Sequence, residues 1–120
     1  MTPTEVSAGD TVRVTLAWRV QQDVNQAFTS FVHLGQLSQA PLAQGDGQPL
    51  AGDYPTVYWD AGELISGDEY LLEIPQTLLP GRYPIHVGMY DPQTLQRLPL
   101  FVDGQRQAQD AFLLGWVTAR

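Results

Sequence analysis

The chain contains no cysteine and no lysine. Without cysteine, disulfide frameworks, thiolate metal sites and cysteine nucleophiles are excluded, although either side of a membrane is compatible with this absence. Without lysine, Schiff-base chemistry and the usual phosphate-loop lysine are excluded. The 6 basic side chains are therefore all arginine, and 13 acidic residues bring the formal charge to −7. Because such a surface repels phosphate backbones and anionic lipid, we expect no nucleic-acid partner.

Long apolar runs are also missing. No segment approaches the roughly 20 apolar residues of a membrane helix, and the start, Met1–Glu5, lacks the features of a signal peptide. We therefore expect no direct membrane insertion, and either a soluble cytoplasmic protein or a domain excised from a larger one. A length of 120 residues, 43% of them hydrophobic, predicts one domain spanning residues 1–120 whose core needs no metal or disulfide.

A proline-glycine corner followed by a strand is the most informative feature that is present. After Pro80-Gly81, the residues Tyr83, Ile85, Val87 and Met89 alternate with other residues, and this period of two predicts a strand with one buried face. A tyrosine two residues after a corner glycine is typical of Greek-key sandwiches, in which the phenol ties a loop to the next strand.

Further segments repeat the strand pattern, with a turn signal about every ten residues. The predicted strands are 11–20, 27–34, 42–44, 57–59, 69–74, 82–90, 97–102 and 111–118. No stretch sustains a helical apolar stripe. We predict an all-β, two-layer antiparallel sandwich of seven or eight strands, Ig-like or jelly-roll-like with Greek-key connections. The predicted core is Val14, Leu16, Trp18, Phe31, Leu72, Tyr83, Ile85, Val87, Leu114 and Trp116.

Several motifs occur together in an order that matches a known family. They are Gly9-Asp10 with Val14–Trp18, Phe31–Leu34, Gln44–Asp46, Tyr54–Thr56, Trp59 with Gly62-Glu63, Asp68–Tyr70, Pro80–Tyr83, Val87–Asp91 and Arg97–Pro99. The chain resembles the C-terminal extracytoplasmic β-sandwich domain of bacterial membrane glycosyltransferases of the mannosyltransferase-like type, found in cyanobacteria and Chloroflexi-like bacteria. The resemblance implies an accessory domain outside the cytoplasm, with catalysis in the polytopic part of the parent protein. The chain departs from the family at Gly35–Leu37.

Aromatic residues around a long loop rich in proline and glycine are the best candidates for a binding site. Tyr54, Tyr58 and Trp59 could stack on the apolar faces of sugars, and Asp46, Asp60 and Arg97 could contact the hydroxyl groups. The alternative is that the rings simply plug one end of the sandwich, as buried aromatic residues commonly do.

Calcium is a second hypothesis for the same region, because loop carboxylates suit a hard cation that prefers oxygen ligands. The candidates Asp46, Asp53, Asp60, Asp68 and Asp91 lie in or beside turns, but aspartate is also an ordinary turn residue. No Asp-x-Asp-x-Asp spacing is present, which argues against calcium. We expect no cofactor, and structural calcium is the alternative.

Catalysis has weaker candidates. Asp60 with Glu63, or Asp68 with Glu69, could form a glycosidase pair, but a sandwich of this size has little material for the necessary cleft. His33 and His86 belong to no metal or nucleophile motif. Arg97 is interpreted as structural, holding Asp91 or Asp103.

We therefore expect a non-catalytic accessory module of a glycosyltransferase-type membrane protein, not an enzyme, with weak carbohydrate binding as its activity. The alternatives are a purely structural or protein-interaction sandwich, which docks an exposed edge strand or a loop end on a partner such as the membrane portion of its own parent chain, and a small glycoside hydrolase. Buried rings in the loop favour the interaction alternative, whereas an exposed aromatic patch favours glycan binding.

Overall fold

The computed structural model describes residues 1–120 and contains nine strands and three short 3-10 turns. The strands are β1 (Glu5–Val6), β2 (Thr11–Arg19), β3 (Thr29–Leu34), β4 (Ala43–Gln44), β5 (Leu64–Glu73), β6 (Gly81–Tyr90), β7 (Phe101–Val102), β8 (Gln105–Arg106) and β9 (Phe112–Ala119). The turns are Pro49–Gly52, Thr56–Tyr58 and Ala108–Asp110. None of the chain forms a helix with the length and apolar character needed to cross a membrane.

The strands form one large layer and one small one. The large sheet has the order β1-β9-β6-β3-β4, and only the β1–β9 pair is parallel. The second layer contains only the antiparallel pair β2–β5, and β7 and β8 form a separate hairpin. The predicted all-β sandwich is thus confirmed, with one strand more than the expected maximum.

The core lies between the two layers. Val12, Val14 and Leu16 of β2 pack with buried residues of the large sheet such as Val32 and Ile85. Apolar residues alternate along β2 and along much of β5, β6 and β9, so both sheets present an apolar face. Burying these faces together is the main source of stability.

A tyrosine corner closes one connection, as the sequence predicts. The hydroxyl of Tyr83 donates a hydrogen bond to the carbonyl oxygen of Leu79 at 2.7 Å. The ring of Tyr83 packs against the core while its hydroxyl group fixes the loop that enters β6. The corner therefore links the β5–β6 connection to the start of the longest strand of the large sheet.

Two short elements differ from the sequence prediction. Residues 57–59 were expected as a strand, but Thr56–Tyr58 form a 3-10 turn, because this turn follows the extended Pro55 and closes with the bond from Trp59 N–H to Thr56 O. The predicted strand 97–102 is reduced to Phe101–Val102, and the polar segment after it supplies β8. The predicted core also needs one correction, since Trp116 is 36% exposed.

A β-bulge explains the position of Trp116. Ile85 pairs with Gly115 but His86 pairs with Leu113, so Leu114 is an extra residue in β9. The extra residue shifts the alternation by one position, so that Leu114 and Val117 face the core. Trp116 lies instead on the outer face, where the Arg82 guanidinium carbon is 4.3 Å from the ring centroid.

A second bulge lies beside a buried carboxylate in β5. In β5, Gly67 has a φ of +71° and lies between the pairs Leu16–Asp68 and Trp18–Ile65. A left-handed glycine at this position is typical of a G1 bulge. The bulge shifts the alternation on its N-terminal side, so that Ile65 faces the core. Asp68, expected as a turn residue, is in phase with the inward residues Tyr70 and Leu72 and is fully buried.

Candidate functional site

The three aromatic residues of the predicted sugar platform lie near one another but do not share an exposed surface. Trp59 is buried, and its indole N–H donates to the carbonyl oxygen of Tyr54 at 3.0 Å. The Tyr54 hydroxyl donates to the carboxylate of Glu63, 2.8 Å from Oε2, and this hydrogen bond raises the pKa of Tyr54. Only Tyr58 is widely exposed, at 65%. Trp59 therefore fills one end of the sandwich, as the alternative to sugar binding predicts. Of the three rings, only Tyr58 presents a free surface.

The polar members of the predicted sugar site are divided between two places. Asp60 is exposed at the turn that follows Trp59. Asp46 lies on the outer face of the large sheet, where its Oδ1 accepts a hydrogen bond from Val32 N–H at 3.1 Å. Arg97 lies on that face too, with its guanidinium carbon 4.7 Å from the centroid of the Phe31 ring. The six residues do not form one site.

The expected ion pair of Arg97 is also absent. Its Nη1 donates to the carbonyl oxygen of Gln109 at 3.0 Å, and neither Asp91 nor Asp103 bonds to it. The arginine therefore covers Phe31 and ties the 108–110 turn to the sheet, which is a structural role with different partners from those predicted.

The five calcium candidates have different surroundings. Asp68 is buried and Asp46 is bonded to β3, while Oδ1 of Asp91 accepts a bond from Gln93 N–H at 2.9 Å within its own turn. Asp53 and Asp60 are exposed. No group of three or more histidine, aspartate or glutamate side chains is placed to hold a metal ion.

The two nominated glycosidase pairs face different environments as well. Glu63 Oε1 accepts the Asp60 N–H at 2.7 Å and so closes a turn. Glu69 lies on the opposite side of β5 from Asp68 and approaches the Arg13 side chain at 3.5 Å. Neither pair therefore stands across a cleft, as glycoside hydrolysis requires.

A polar cluster on the outer face of the large sheet was not predicted. Oδ1 of Asp46 is 3.2 Å from His33 Nε2, and the Tyr90 hydroxyl donates to Asp46 Oδ2 at 3.3 Å. His33 pairs across the strands with His86. The period of two in β3 and β6 places these side chains on one face, but the sequence does not reveal which residues pair across the strands.

His86 is buried in this cluster, and its Nδ1 has no hydrogen-bond partner. Burial lowers its pKa below the ordinary value of 6.5; a hydrogen bond with the Gly35 backbone opposes this shift, and the positive charge of Arg97 and the neighbouring His33 add to it. His86 therefore binds a proton less readily in the folded protein than in the unfolded chain.

We expect the free energy of unfolding to fall as the pH is lowered through about 6.5. In that window the unfolded state binds more protons than the folded state, so acidification favours unfolding. Urea unfolding at pH 7.5 and at pH 5.5 measures this change in the free energy of unfolding. Phenylalanine cannot titrate, so the difference between the two pH values should be smaller in His86→Phe. An equal change in both proteins contradicts the assignment to His86.

A large apolar cleft opens beside the small sheet. It has a volume of about 920 Å³, and 15 of its 26 lining residues are hydrophobic. Its walls include the β2 residues Thr15–Arg19 and the segment Leu98–Gly104. The large sheet also lines it, through Val87 and Met89 of β6 and Phe112 and Leu114 of β9. We call this opening the interlayer cleft.

The cleft exists because the two layers are unequal. Five strands form the large sheet, whereas β2 and β5 alone form the small one. The small sheet therefore leaves part of the apolar face of β6 and β9 uncovered, and Phe112 and Leu114 are only partly buried. A concave apolar surface with a few polar groups at its border is the usual form of a binding site.

No family model, curated protein or solved structure matches the chain in comparisons with known proteins. The geometry of the cleft is therefore the basis for a functional argument, and the glycosyltransferase setting stays an expectation from the sequence motifs.

Proposed function

We propose that this protein is a non-catalytic binding module and that the interlayer cleft is its binding site. One observation carries the proposal, namely an apolar opening of about 920 Å³ between the layers of an otherwise well-packed sandwich. Small domains normally cover such a surface, because exposed contiguous apolar area favours association with another molecule.

Few charged groups line the cleft. Two acidic residues, Asp23 and Asp103, and one arginine, Arg19, are the charged groups that line the cleft. Neither histidine lies there, and the nominated carboxylate pairs lie outside it. The polar groups of the cleft thus suit contact with a ligand at its border better than they suit proton transfer.

Of the two ligand classes expected from the sequence, the geometry favours a protein partner over a glycan. Trp59 is buried and the Tyr54 hydroxyl is bonded to Glu63, so sugar stacking depends on Tyr58 alone. The cleft, in contrast, offers a large and mainly apolar surface of the kind that polypeptide side chains fill. The setting implied by the sequence resemblance, outside the cytoplasm in a membrane glycosyltransferase, belongs to this proposal and is supported by the ordered motifs alone.

Binding of an uncharged apolar fluorophore, N-phenyl-1-naphthylamine, tests whether the cleft is a binding site. We expect saturable binding, and we expect Leu114→Gln to weaken it about fivefold or more, because an amide in an apolar site loses hydration without gaining a partner. Leu113→Gln is the matched control, since this neighbouring leucine is 43% exposed and does not line the cleft. Absence of saturable binding, or equal effects of both substitutions, contradicts the proposed site.

A further inference from the structure

One edge of β2 has no partner strand along most of its length. Toward β5, the strand pairs from Thr11 to Arg19. On the other edge a single bridge joins it to Thr2, in which Arg13 N–H donates to Thr2 O at 2.7 Å and Thr2 N–H donates to Arg13 O at 2.9 Å. No other strand adjoins this edge.

The direction of the free backbone groups follows from that bridge. Both backbone groups of Arg13 point away from β5, and amides two residues apart in a strand point to the same side. The N–H and C=O groups of Thr15, Ala17 and Arg19 therefore also point away from β5. The bulge adds its extra residue to β5 and leaves the alternation of β2 unchanged. Val20 confirms this alternation, since its N–H and C=O bond toward the β5 side, at Glu63 and Gly62.

This free edge forms a border of the interlayer cleft. Thr15, Ala17 and Arg19 line the cleft, and so do Phe112 and Leu114 of the opposite layer. A strand placed beside β2 thus meets two complementary surfaces at once. Its backbone faces unpaired amides, and every second side chain faces the uncovered apolar surface of β6 and β9.

We propose that the interlayer cleft binds an extended polypeptide segment, which adds to the free edge of β2 as a third strand of the small sheet. The inference rests on the proposed function, because it names the partner of the same site. Strand addition gains affinity from main-chain hydrogen bonds and specificity from alternate side chains. At about 3.3 Å per residue, a segment of about five residues matches the edge from Thr15 to Arg19.

The charges of the protein and of the cleft indicate which residues the bound segment carries. The protein has a formal charge of −7, and the cleft is lined by Asp23 and Asp103 against Arg19 alone. A segment with apolar residues at alternate positions and basic or neutral residues between them satisfies both the apolar floor and the acidic border. A second copy of the protein satisfies the charge poorly, since each copy carries −7.

Synthetic peptides test the proposal on the intact protein. The probe is a pool of labelled nonapeptides with Val, Leu, Ile or Phe at alternate positions and Lys, Arg or Thr at the others. The control pool has the same composition in scrambled order. We expect fluorescence anisotropy to show at least tenfold tighter binding of the alternating pool, because scrambling keeps the charge but destroys the two-faced pattern.

Changes in the protein or in the peptide test how much the backbone hydrogen bonds contribute to binding. Ala17→Pro removes one N–H from the free edge, a substitution that edge strands tolerate, and we expect it to weaken binding at least tenfold. Ala17→Ser keeps that N–H and should bind like the unaltered protein. If circular dichroism shows that Ala17→Pro does not fold, N-methylated peptides make the same test on the unaltered protein. One peptide is methylated at its odd-numbered amides and the other at its even-numbered amides, and one of the two should lose binding.

The outcomes separate this inference from the proposed function. Equal binding of alternating and scrambled pools overturns strand addition and indicates charge attraction. Saturable binding of the fluorophore without peptide binding overturns strand addition but leaves the cleft as a binding site. Failure of both overturns the proposed function itself. The protein could instead associate with itself at the same edge, which would give a concentration-dependent dimer that Ala17→Pro abolishes. That result overturns the proposal of a separate peptide partner in favour of a second copy.

Discussion

Replacing Asp68 with alanine is expected to lower the free energy of unfolding by about 3–5 kcal/mol. The buried carboxylate accepts three hydrogen bonds, from Trp18 Nε1 at 2.8 Å, from the Tyr70 hydroxyl at 2.6 Å and from Leu50 N–H at 2.8 Å. The alanine variant leaves all three donors without this acceptor, and each buried unpaired group costs about 1–3 kcal/mol.

Asp68 also holds an unusual backbone segment. Leu50 and Ala51 have φ values of +53° and +56°, a left-handed conformation that non-glycine residues rarely adopt. The bond from Leu50 N–H to Asp68 fixes this segment to β5, so loss of the carboxylate releases it as well. Burial, together with the hydrogen bond to the same carboxylate, raises the pKa of Tyr70 well above its ordinary value.

Urea unfolding followed by far-ultraviolet circular dichroism measures this effect without relying on Trp18 fluorescence. Asp53→Ala is the matched control, since Asp53 is exposed and its side chain makes no hydrogen bond, and its effect should lie within about 0.5 kcal/mol. A loss below about 1 kcal/mol for Asp68→Ala contradicts the view that this carboxylate organises the interior.

Gly45→Ala is expected to destabilise the protein by about 1–3 kcal/mol. A methyl group at this position lies only 2.5 Å from the carbonyl oxygen of Leu71 in β5. The strand segment after β4 thus crosses β5 at a distance that glycine alone permits, and this crossing joins the large sheet to the small one. Because the obstacle is backbone, the two layers have to separate locally.

Gly47→Ala is the control for that prediction. A methyl group there meets only the Tyr70 ring, at 3.7 Å, which is an ordinary contact. Its effect should be near zero or stabilising by a few tenths of a kcal/mol, because alanine restricts the unfolded chain. Thermal unfolding of both variants compares them directly, and equal midpoints contradict the close crossing at Gly45.

Local alternation allowed much of the fold to be predicted from the sequence. Val12, Val14 and Leu16 indicate which face of β2 is buried, and the turn before Tyr83 indicates the corner. Both features depend on residues close together in the chain. Where the period of two holds, the predicted strand and its buried face are correct.

The bulge in β9 explains the error at Trp116. It adds one residue to the strand, so that Trp116 points outward against the simple period. In β5 the bulge changes the phase before Gly67 and buries Ile65, whereas Asp68 points inward in phase with Tyr70 and Leu72. A glycine at the bulge is the available signal, as Gly67 lies in the β5 bulge and Gly115 precedes Trp116. The signal is weak, however, because glycine also marks ordinary turns.

The candidate site was less predictable than the fold. The sequence directed attention to loop aromatic residues, but Trp59 is buried and Tyr54 is bonded to Glu63. The interlayer cleft depends on how many strands each layer contains, which is a long-range property that no local pattern encodes. Docking through an exposed edge strand or a loop end stays a prediction, and the sequence does not identify β2 as the strand with a free edge.

Amide hydrogen exchange along β2 of the free protein tests the central claim most directly. The account predicts that Leu16 and Trp18, whose amides face β5, are protected, whereas Thr15 and Ala17 exchange at least about tenfold faster because their amides face the cleft. Uniform protection of all four amides contradicts an unpaired edge, and with it the basis for strand addition.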